Sequence, residues 1–296
     1  MISIIIASIK PEFLADVSAN ISKTIGVDFE IISFNNANGA VGLCEIYNKG
    51  AVQAKYDILC FMHEDTQIKT EHWGAIVTEI FNKQKPGLLG LAGSTYKSST
   101  PSGWFPPAEF GTKSWRINIE QDSKYEDRTK QHDYYNPHHE SLSEVACVDG
   151  VWFCTTKTIA LATKFDEKLL KGFHGYDIDF SLNVGQKHKI LVTYDILLYH
   201  ASEGNFNSDW LRETIKVQHK WDYLLPKNCN EFSKMEIDDL EKKALKKFLS
   251  SAIKNKIFSS SDISALLSYY HNSKRLSLPM YIKFYFKAQF RGKQIS

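Results

Sequence analysis

Three short apolar runs in the first 62 residues constrain this chain more than any other feature. Ile2 to Ala7 is rich in β-branched side chains and stops at Lys10 and Pro11, Phe29 to Phe34 is the second run, and Tyr56 to Met62 the third. Between the first two, Phe13, Val17 and Ile21 recur at helical spacing as far as Gly26. Asn35, Asn36, Asn38 and Gly39 then make a turn, and Cys44, Tyr47, Ala51 and Ala54 form a second helical seam. The first run suits a strand buried on both faces, the third one buried strand, and helices between the three runs make parallel neighbours. The expected fold is α/β, a βαβαβ unit opening a doubly wound, mostly parallel sheet flanked by helices.

The third run ends abruptly in His63, Glu64 and Asp65. Ligands of open α/β sheets sit beyond the carboxyl ends of the strands, where polar groups can converge on a crevice, so chemistry is expected here. Thr70 can cap a following helix whose Trp73, Ile76, Val77, Ile80 and Phe81 share a face, ended by Lys85, Pro86 and Gly87. Leu88 to Ala92 reads as a strand. Ser94 to Glu144 loses periodicity and is polar, but contains Gly103-Trp104-Phe105-Pro106-Pro107 and Tyr134-Tyr135; its length and aromatics suggest an ordered lid. Val145 to Thr156, with Asp149 and Gly150 inside it, returns to strand character. Within Phe165 to Asn205, Tyr176, Phe180 and Val184 share one helical face, with Asp177 and Asp179 in the first turn, where the helix dipole favours carboxylates. Ile190 to Tyr199 reads as a strand ending at His200, and Ser208 to Leu225 as a helix.

A chain of 296 residues suits one large domain, or a domain of about 200 residues with an appendage. At 43% apolar and 24% charged it is not a disordered chain. Five Cys, with no C-x-x-C pair and no zinc-finger spacing, read as buried reduced thiols. The apolar N-terminal run is too short for a signal peptide and no stretch matches a spanning helix, so a cytoplasmic location is expected. No Gly-x-Gly-x-x-Gly or P-loop pattern follows any strand.

Charge divides the chain. Lys234 to Ser296 holds 13 Lys and Arg against 5 Asp and Glu, whereas the preceding residues hold 23 against 29. In that basic end Leu245, Phe248, Leu249, Ala252 and Ile253 make an apolar stripe flanked by Lys242, Lys243, Lys246, Lys247, Lys254 and Lys256, and Met280 to Arg291 alternates aromatics with Lys283, Lys287 and Arg291. Two readings are open: interfacial helices on an anionic membrane surface, peripheral at the inner face, or a helical appendage packed on the main domain. The boundary is expected at 225/226, with no nucleic-acid partner.

His63, Glu64 and Asp65 at one strand end, Asp177 and Asp179 at a helix start, and His200 at another strand end all fall where such a sheet exposes its catalytic edge. Carboxylate oxygen with one imidazole suits Mn²⁺ or Mg²⁺ bridging phosphates better than Zn²⁺. The bland readings are a helix cap at Asp65, dipole carboxylates at Asp177 and Asp179, and a surface His200. A further cluster, His138-His139-Glu140, reads chiefly as exposed loop.

Asn48-Lys49-Gly50-Ala51, the strand running to His63-Glu64-Asp65, Asp149-Gly150, the string Gly175 to Phe180 and the strand ending in His200 together resemble an inverting, GT-A fold glycosyltransferase of family two. The His at position 63 and the terminal His200 make the pattern most similar to the branch related to a streptomycin-biosynthesis domain. The resemblance covers Met1 to Trp221. It implies that Asp65 holds Mn²⁺ or Mg²⁺ on the diphosphate of a sugar nucleotide, with His200 and His63 as further ligands and Glu64 beside them. It implies Asp177 as general base, with Asp149, Gly150, Tyr176 and Asp179 toward a glycan or lipid-linked acceptor. Ser8 and Asn35 fall at the nucleotide-binding strand ends, though Ala7-Ser8 stands where the family has Pro-Thr and Asn35-Asn36 where an Asp reads uracil. Tyr176 replaces the usual Glu. The rival functions are a nucleotidyltransferase, for which Ala7 to Lys10 is a poor phosphate-binding segment, and a non-catalytic sugar-nucleotide binder.

Overall fold

The computed structural model describes residues 1–106, 112–122, 131–202, 207–229, 231–254 and 258–290. Pro107, Asn205, Lys256 and Arg291 lie outside them. The chain opens as β1 (Ile2–Ser8), α1 (Pro11–Thr24), β2 (Phe29–Asn35), α2 (Leu43–Gln53) and β3 (Ile58–Met62), the expected βαβαβ unit. There follow β4 (Thr66–Ile68), α3 (Trp73–Gln84), β5 (Leu88–Gly90), β6 (Ala92–Ser94), β7 (Tyr96–Lys97), β8 (Trp115–Gln121), β9 (Gln131–Tyr135) and β10 (Leu142–Glu144). Next come β11 (Cys147–Val148), β12 (Trp152–Thr156), α4 (Lys157–Thr163), α5 (Tyr176–Val184), β13 (Ile190–Thr193), β14 (Leu198–His200), α6 (Ser208–Trp221) and β15 (Lys227–Asn228). Three helices close the described chain: α7 (Lys234–Lys254), α8 (Ser260–Asn272) and α9 (Leu278–Gln289).

The main sheet has the order β10-β13-β5-β12-β3-β1-β2. Its strands are parallel except β12 and β10, which run against their neighbours. Side chains of a strand alternate between its faces, and here both faces are core. Ile4, Ile6, Cys60 and Met62 join Val17 and Ile21 of α1 and Trp73 and Val77 of α3 on one side. Ile5, Leu59 and Phe61 join Cys44 and Tyr47 of α2 and Phe180 of α5 on the other. The Asn48 to Ala51 string has a structural cause: a Cβ on Gly50 would stand 2.5 Å from Ile5 Cγ2, so glycine lets α2 lie against β1. Asn48 meanwhile donates to the Phe165 carbonyl and accepts from its N–H, each at 2.9 Å.

A second sheet, β11-β6-β8-β14-β4 with β9 on β8, corrects several expectations. Leu88 to Ala92, Val145 to Thr156 and Ile190 to Tyr199 are not single strands: each is broken, with its parts divided between the two sheets. A run buried in both sheets keeps its apolar character through the break, so periodicity does not register it. The described residues of the polar stretch from Ser94 to Glu144 supply β7, β8, β9 and β10 and are held by hydrogen bonds, while residues 107–111 and 123–130 of the expected lid lie outside the described residues. Ser94 Oγ donates to the Tyr96 carbonyl at 2.8 Å, and buried Arg116 donates to Glu231 at 2.7 Å and to the Trp115 carbonyl at 2.7 Å. Thr70 is not a helix cap, because its hydroxyl accepts from Leu197 N at 2.9 Å and α3 is preceded by His72 at φ 57°. Cys44, Cys60, Cys147 and Cys154 are buried thiols, and burial pushes Cys147 up to about 12.

The apolar stripe of α7 is not interfacial. Leu245, Phe248, Leu249, Ala252 and Ile253 pack in one cluster with residues of α8 and α9 and with Leu211 of α6. Glu241 of α7 accepts from the Tyr96 hydroxyl at 2.6 Å and from Ser99 N at 3.1 Å, and Arg275 pairs with Asp222 at 2.7 Å. Among the described residues no helix is long and apolar enough to cross a membrane.

Candidate active site

Site residues gather where the chain passes between the two sheets. β3 ends at Met62 and β4 begins at Thr66, so His63, Glu64 and Asp65 form the junction. His63 N donates to the Val151 carbonyl at 3.0 Å, and Thr66 Oγ1 to the His63 carbonyl at 2.8 Å. β14 pairs antiparallel with β4 and sets His200 opposite Thr66, which brings its Nε2 to 3.4 Å from Asp65 Oδ1. Ligand atoms of His63, Asp65 and His200 all lie within 4.8 Å of one another. Burial opposes the charge on Asp65, but the hydrogen bond and charge of His200, with the charge of His63, outweigh it and hold this carboxyl well below the usual range. Burial, then the charge of His200, lowers His63 against the pull of Asp65, Asp149 and Glu64. A neutral imidazole is the form that ligates metal.

The second half of the site is built on α5 and the β11–β12 junction. Gly175 at φ 78° turns the chain into α5, so that Tyr176 and Asp177 face the junction. The Tyr176 hydroxyl donates to the Gly150 carbonyl at 3.1 Å and lies 3.0 Å from His63 Nε2. Asp177 Oδ2 accepts from Gly150 N at 3.1 Å. Neighbouring residues thus grip both polar groups of Gly150, and a Cβ there would stand 2.2 Å from the Tyr176 hydroxyl. Burial first, then the charge of Asp149, raises Asp177 to about 7, against backbone hydrogen bonds that favour its carboxylate. Asp149 Oδ1 accepts from Val151 N at 2.7 Å.

Two adjoining cavities open on this cluster. One of about 270 Å³ is lined by Ala7, Lys10, Phe13, Tyr47 and Asp65, at the ends of β1 and β3. The other, about 480 Å³, is lined by Asp149, Gly150, Tyr176, Asp177 and His200, and both share His63 and Phe173.

Not every expected residue reaches them. Asp179 lines neither cavity: two positions beyond Asp177 on a helix, it points elsewhere, is 2% exposed, and accepts from Trp221 Nε1 and Lys220 Nζ at 2.7 and 2.9 Å. Glu64 lines the smaller cavity, yet its carboxylate accepts from Ile9 N at 3.0 Å and Lys10 N at 3.2 Å and so ties down the β1–α1 turn. Ser8 and Asn35 are in register at the ends of β1 and β2; Ser8 is buried, and Asn35 is exposed with its Oδ1 accepting from Ala37 N. His138, His139 and Glu140 lie at a turn closed by Asn136, which bonds both backbone groups of Glu140, and stand outside both cavities. Phe173, His174, Gln121, Ser202 and Trp210 line the larger cavity without having been singled out from sequence. They come from loops, the end of β8 and the first turn of α6, and nothing in local pattern aims them at a common cavity, although Phe173 and His174 directly precede the Gly175 to Phe180 string.

Residues 3–237 match the model of the glycosyltransferase-like family. No curated protein matches the sequence. Among solved structures, TarS 1–349 of S. aureus in complex with UDP is 12% identical with a TM-score of 0.55, over 100% of this chain and 93% of that one. TarS 1–349 with UDP-GlcNAc is 10% identical at the same TM-score and coverage. GalNAc-T7 with UDP, GalNAc and Mn²⁺ is 12% identical with a TM-score of 0.52, over 99% of this chain and 57% of that one. The chain therefore spans little more than half of the GalNAc-T7 structure. At such identities these likenesses speak for a shared GT-A architecture, while the family match covers most of the length, and on that ground the chain belongs to the glycosyltransferase-like family.

Proposed function

We propose that this protein is a metal-dependent, inverting glycosyltransferase that moves a sugar from a nucleoside-diphosphate donor to a hydroxyl of a glycan or lipid-linked acceptor. The observation that carries the reading is Asp177, held at about 7 on the wall of the larger cavity, next to a cluster suited to a cation. A base titrating near the working pH combines the right protonation state with useful basicity. Its carboxylate takes the acceptor proton as the acceptor oxygen bonds to the anomeric carbon and the bond from that carbon to the diphosphate breaks. A single displacement by one base inverts the anomeric centre.

Two imidazoles and one carboxylate with ligand atoms within 4.8 Å fit a divalent cation, and the nitrogen content favours Mn²⁺ over Mg²⁺. Bound there, the ion would neutralise charge developing on the departing diphosphate. Asp65 stays ionised as a ligand must, and the hydrogen bond between Tyr176 and His63 orients the ring. The smaller cavity, at the ends of β1 and β3 and with Glu64 in its wall, is assigned to the nucleotide, with Ser8 and Asn35 proposed as further nucleotide-binding residues at the ends of β1 and β2. The larger is assigned to the donor sugar and acceptor, toward which Asp149, Gly150, Tyr176 and aromatic Trp104 and Phe105 face. Uridine donors come first because TarS and GalNAc-T7 bind UDP. Kinship with the streptomycin-type branch and a role in polysaccharide assembly belong to the same proposal. So does a cytoplasmic location, peripheral on an anionic membrane, supported by six Lys and Arg and no Asp or Glu after Asp262.

Thermal unfolding with Mn²⁺ against a panel of sugar nucleotides, for wild type, Asp65→Ala and Asp177→Asn, tests the catalytic reading. Binding to the folded state raises Tm by mass action. A Mn²⁺-dependent shift with one donor, lost in Asp65→Ala but kept in Asp177→Asn together with a turnover loss of about 10²-fold or more, is expected. A donor shift with no turnover in the wild type would instead identify a non-catalytic binder.

A further inference from the structure

We propose that the exposed face of α9 seats this protein on an anionic lipid surface, with its apolar side chains in the interface and Lys283 and Lys287 at the level of the phosphates. This deepens the peripheral location proposed above and does not depend on the catalytic assignment. One face of α9 is core: Phe284 and Ala288 pack with α7 and α8. A second face carries Leu278, Ile282, Tyr285 and Phe286, which are 56%, 45%, 36% and 55% exposed. At 3.6 residues per turn these four fall within an arc of roughly 100°. Single exposed apolar side chains are ordinary on a protein surface, whereas a contiguous stripe marks an interaction site. Of the twelve large hydrophobic residues exposed among those described, five lie between Leu278 and Phe290.

Charge selects the partner. Lys283 and Lys287 adjoin the apolar arc on the same helix and are exposed. From Ile263 to Ser296 the chain has six Lys and Arg and no Asp or Glu. Aromatic and aliphatic side chains edged with lysine and free of carboxylates match the depth profile of an anionic bilayer surface. A second copy fits less well, because an antiparallel two-fold contact across this face would set the lysine edges of both copies on the same side. The stripe of α7, equally basic at its edges, is already covered by α8 and α9 and is not available for this role.

Sedimentation of the full chain with phosphatidylcholine vesicles, with and without a third of phosphatidylglycerol, tests the assignment. The wild type should bind the anionic vesicles and not the neutral ones. Ile282→Asp with Phe286→Asp should weaken binding by about tenfold or more, and Lys283→Gln with Lys287→Gln by several-fold, more so as salt is lowered. Both pairs are on the surface, so each variant should keep the wild-type Tm. Absence of wild-type binding, or binding unchanged by Ile282→Asp with Phe286→Asp, would overturn the proposal. So would a solution dimer that this pair dissolves in a protein that ignores vesicles, which would make the stripe an interface between copies.

Discussion

Asp177 and Asp179 are two residues apart on one helix and have opposite fates. Asp177 looks into the larger cavity, raised to about 7 by burial and then by Asp149. If it is the base, kcat/KM should fall about tenfold per pH unit below that value and level off above it. The same shift bears on stability. Its folded value lies above the ordinary carboxylate value, so between the two the folded state holds a proton that the unfolded state has lost, and stability drops as pH rises through that window. Asp177→Asn should therefore raise Tm more at about pH 8 than at about pH 5, even as it lowers turnover. Asp179 has a structural use instead: it pairs with Lys220 and Trp221 of α6. Asp179→Ala leaves both donors without this acceptor and should cost about 3 kcal/mol in chemical denaturation, with donor affinity unchanged. Sequence put both carboxylates in a first helical turn; which of them meets the cavity follows from how α5 lies against the β11–β12 junction and α6.

At the scale of elements, close approach governs. Gly50 brings α2 against β1, and Gly150 brings α5 against the β11–β12 junction. Gly50→Ala tests the first contact, since alanine gains about 1 kcal/mol of helix propensity while overpacking a rigid core costs about 1–3 kcal/mol. With Ile5 Cγ2 only 2.5 Å from the new Cβ, the clash wins and a lowered Tm is expected. The strands show where sequence reading stops. β1, β2 and β3 were legible because each stays within one sheet and is set off from the next by a helix. The runs around Leu91, Asp149 and Tyr194 looked the same by composition, yet each is split between the two sheets. Those breaks also shape the site, because Asp149 and Gly150 stand in one of them and the His63 to Asp65 turn is another such junction.

Across the whole molecule, the C-terminal helices are tied to the catalytic fold by Glu241 to Tyr96 and Ser99, by Arg275 to Asp222, and by Leu211 within their core. The division at 225/226 is a proposal with a direct test: a chain ending at Leu225 should melt well below the full protein or aggregate, because it bares Tyr96 and Leu211. An unchanged Tm would mean that these ties contribute little. By itself the sequence determined the βαβαβ order, the α/β class, the polar residues at strand ends and the basic, amphipathic C-terminus, because periodicity and run length are local properties of a chain. Only the tertiary structure decided that His200 meets Asp65, that Tyr176 joins His63 to Gly150, that Asp177 rather than Asp179 faces the cavity, and that the stripe of α7 is covered while that of α9 is exposed. Each of these depends on strand register or helix packing between residues far apart in the chain, and local pattern carries no record of which distant partner a residue will meet.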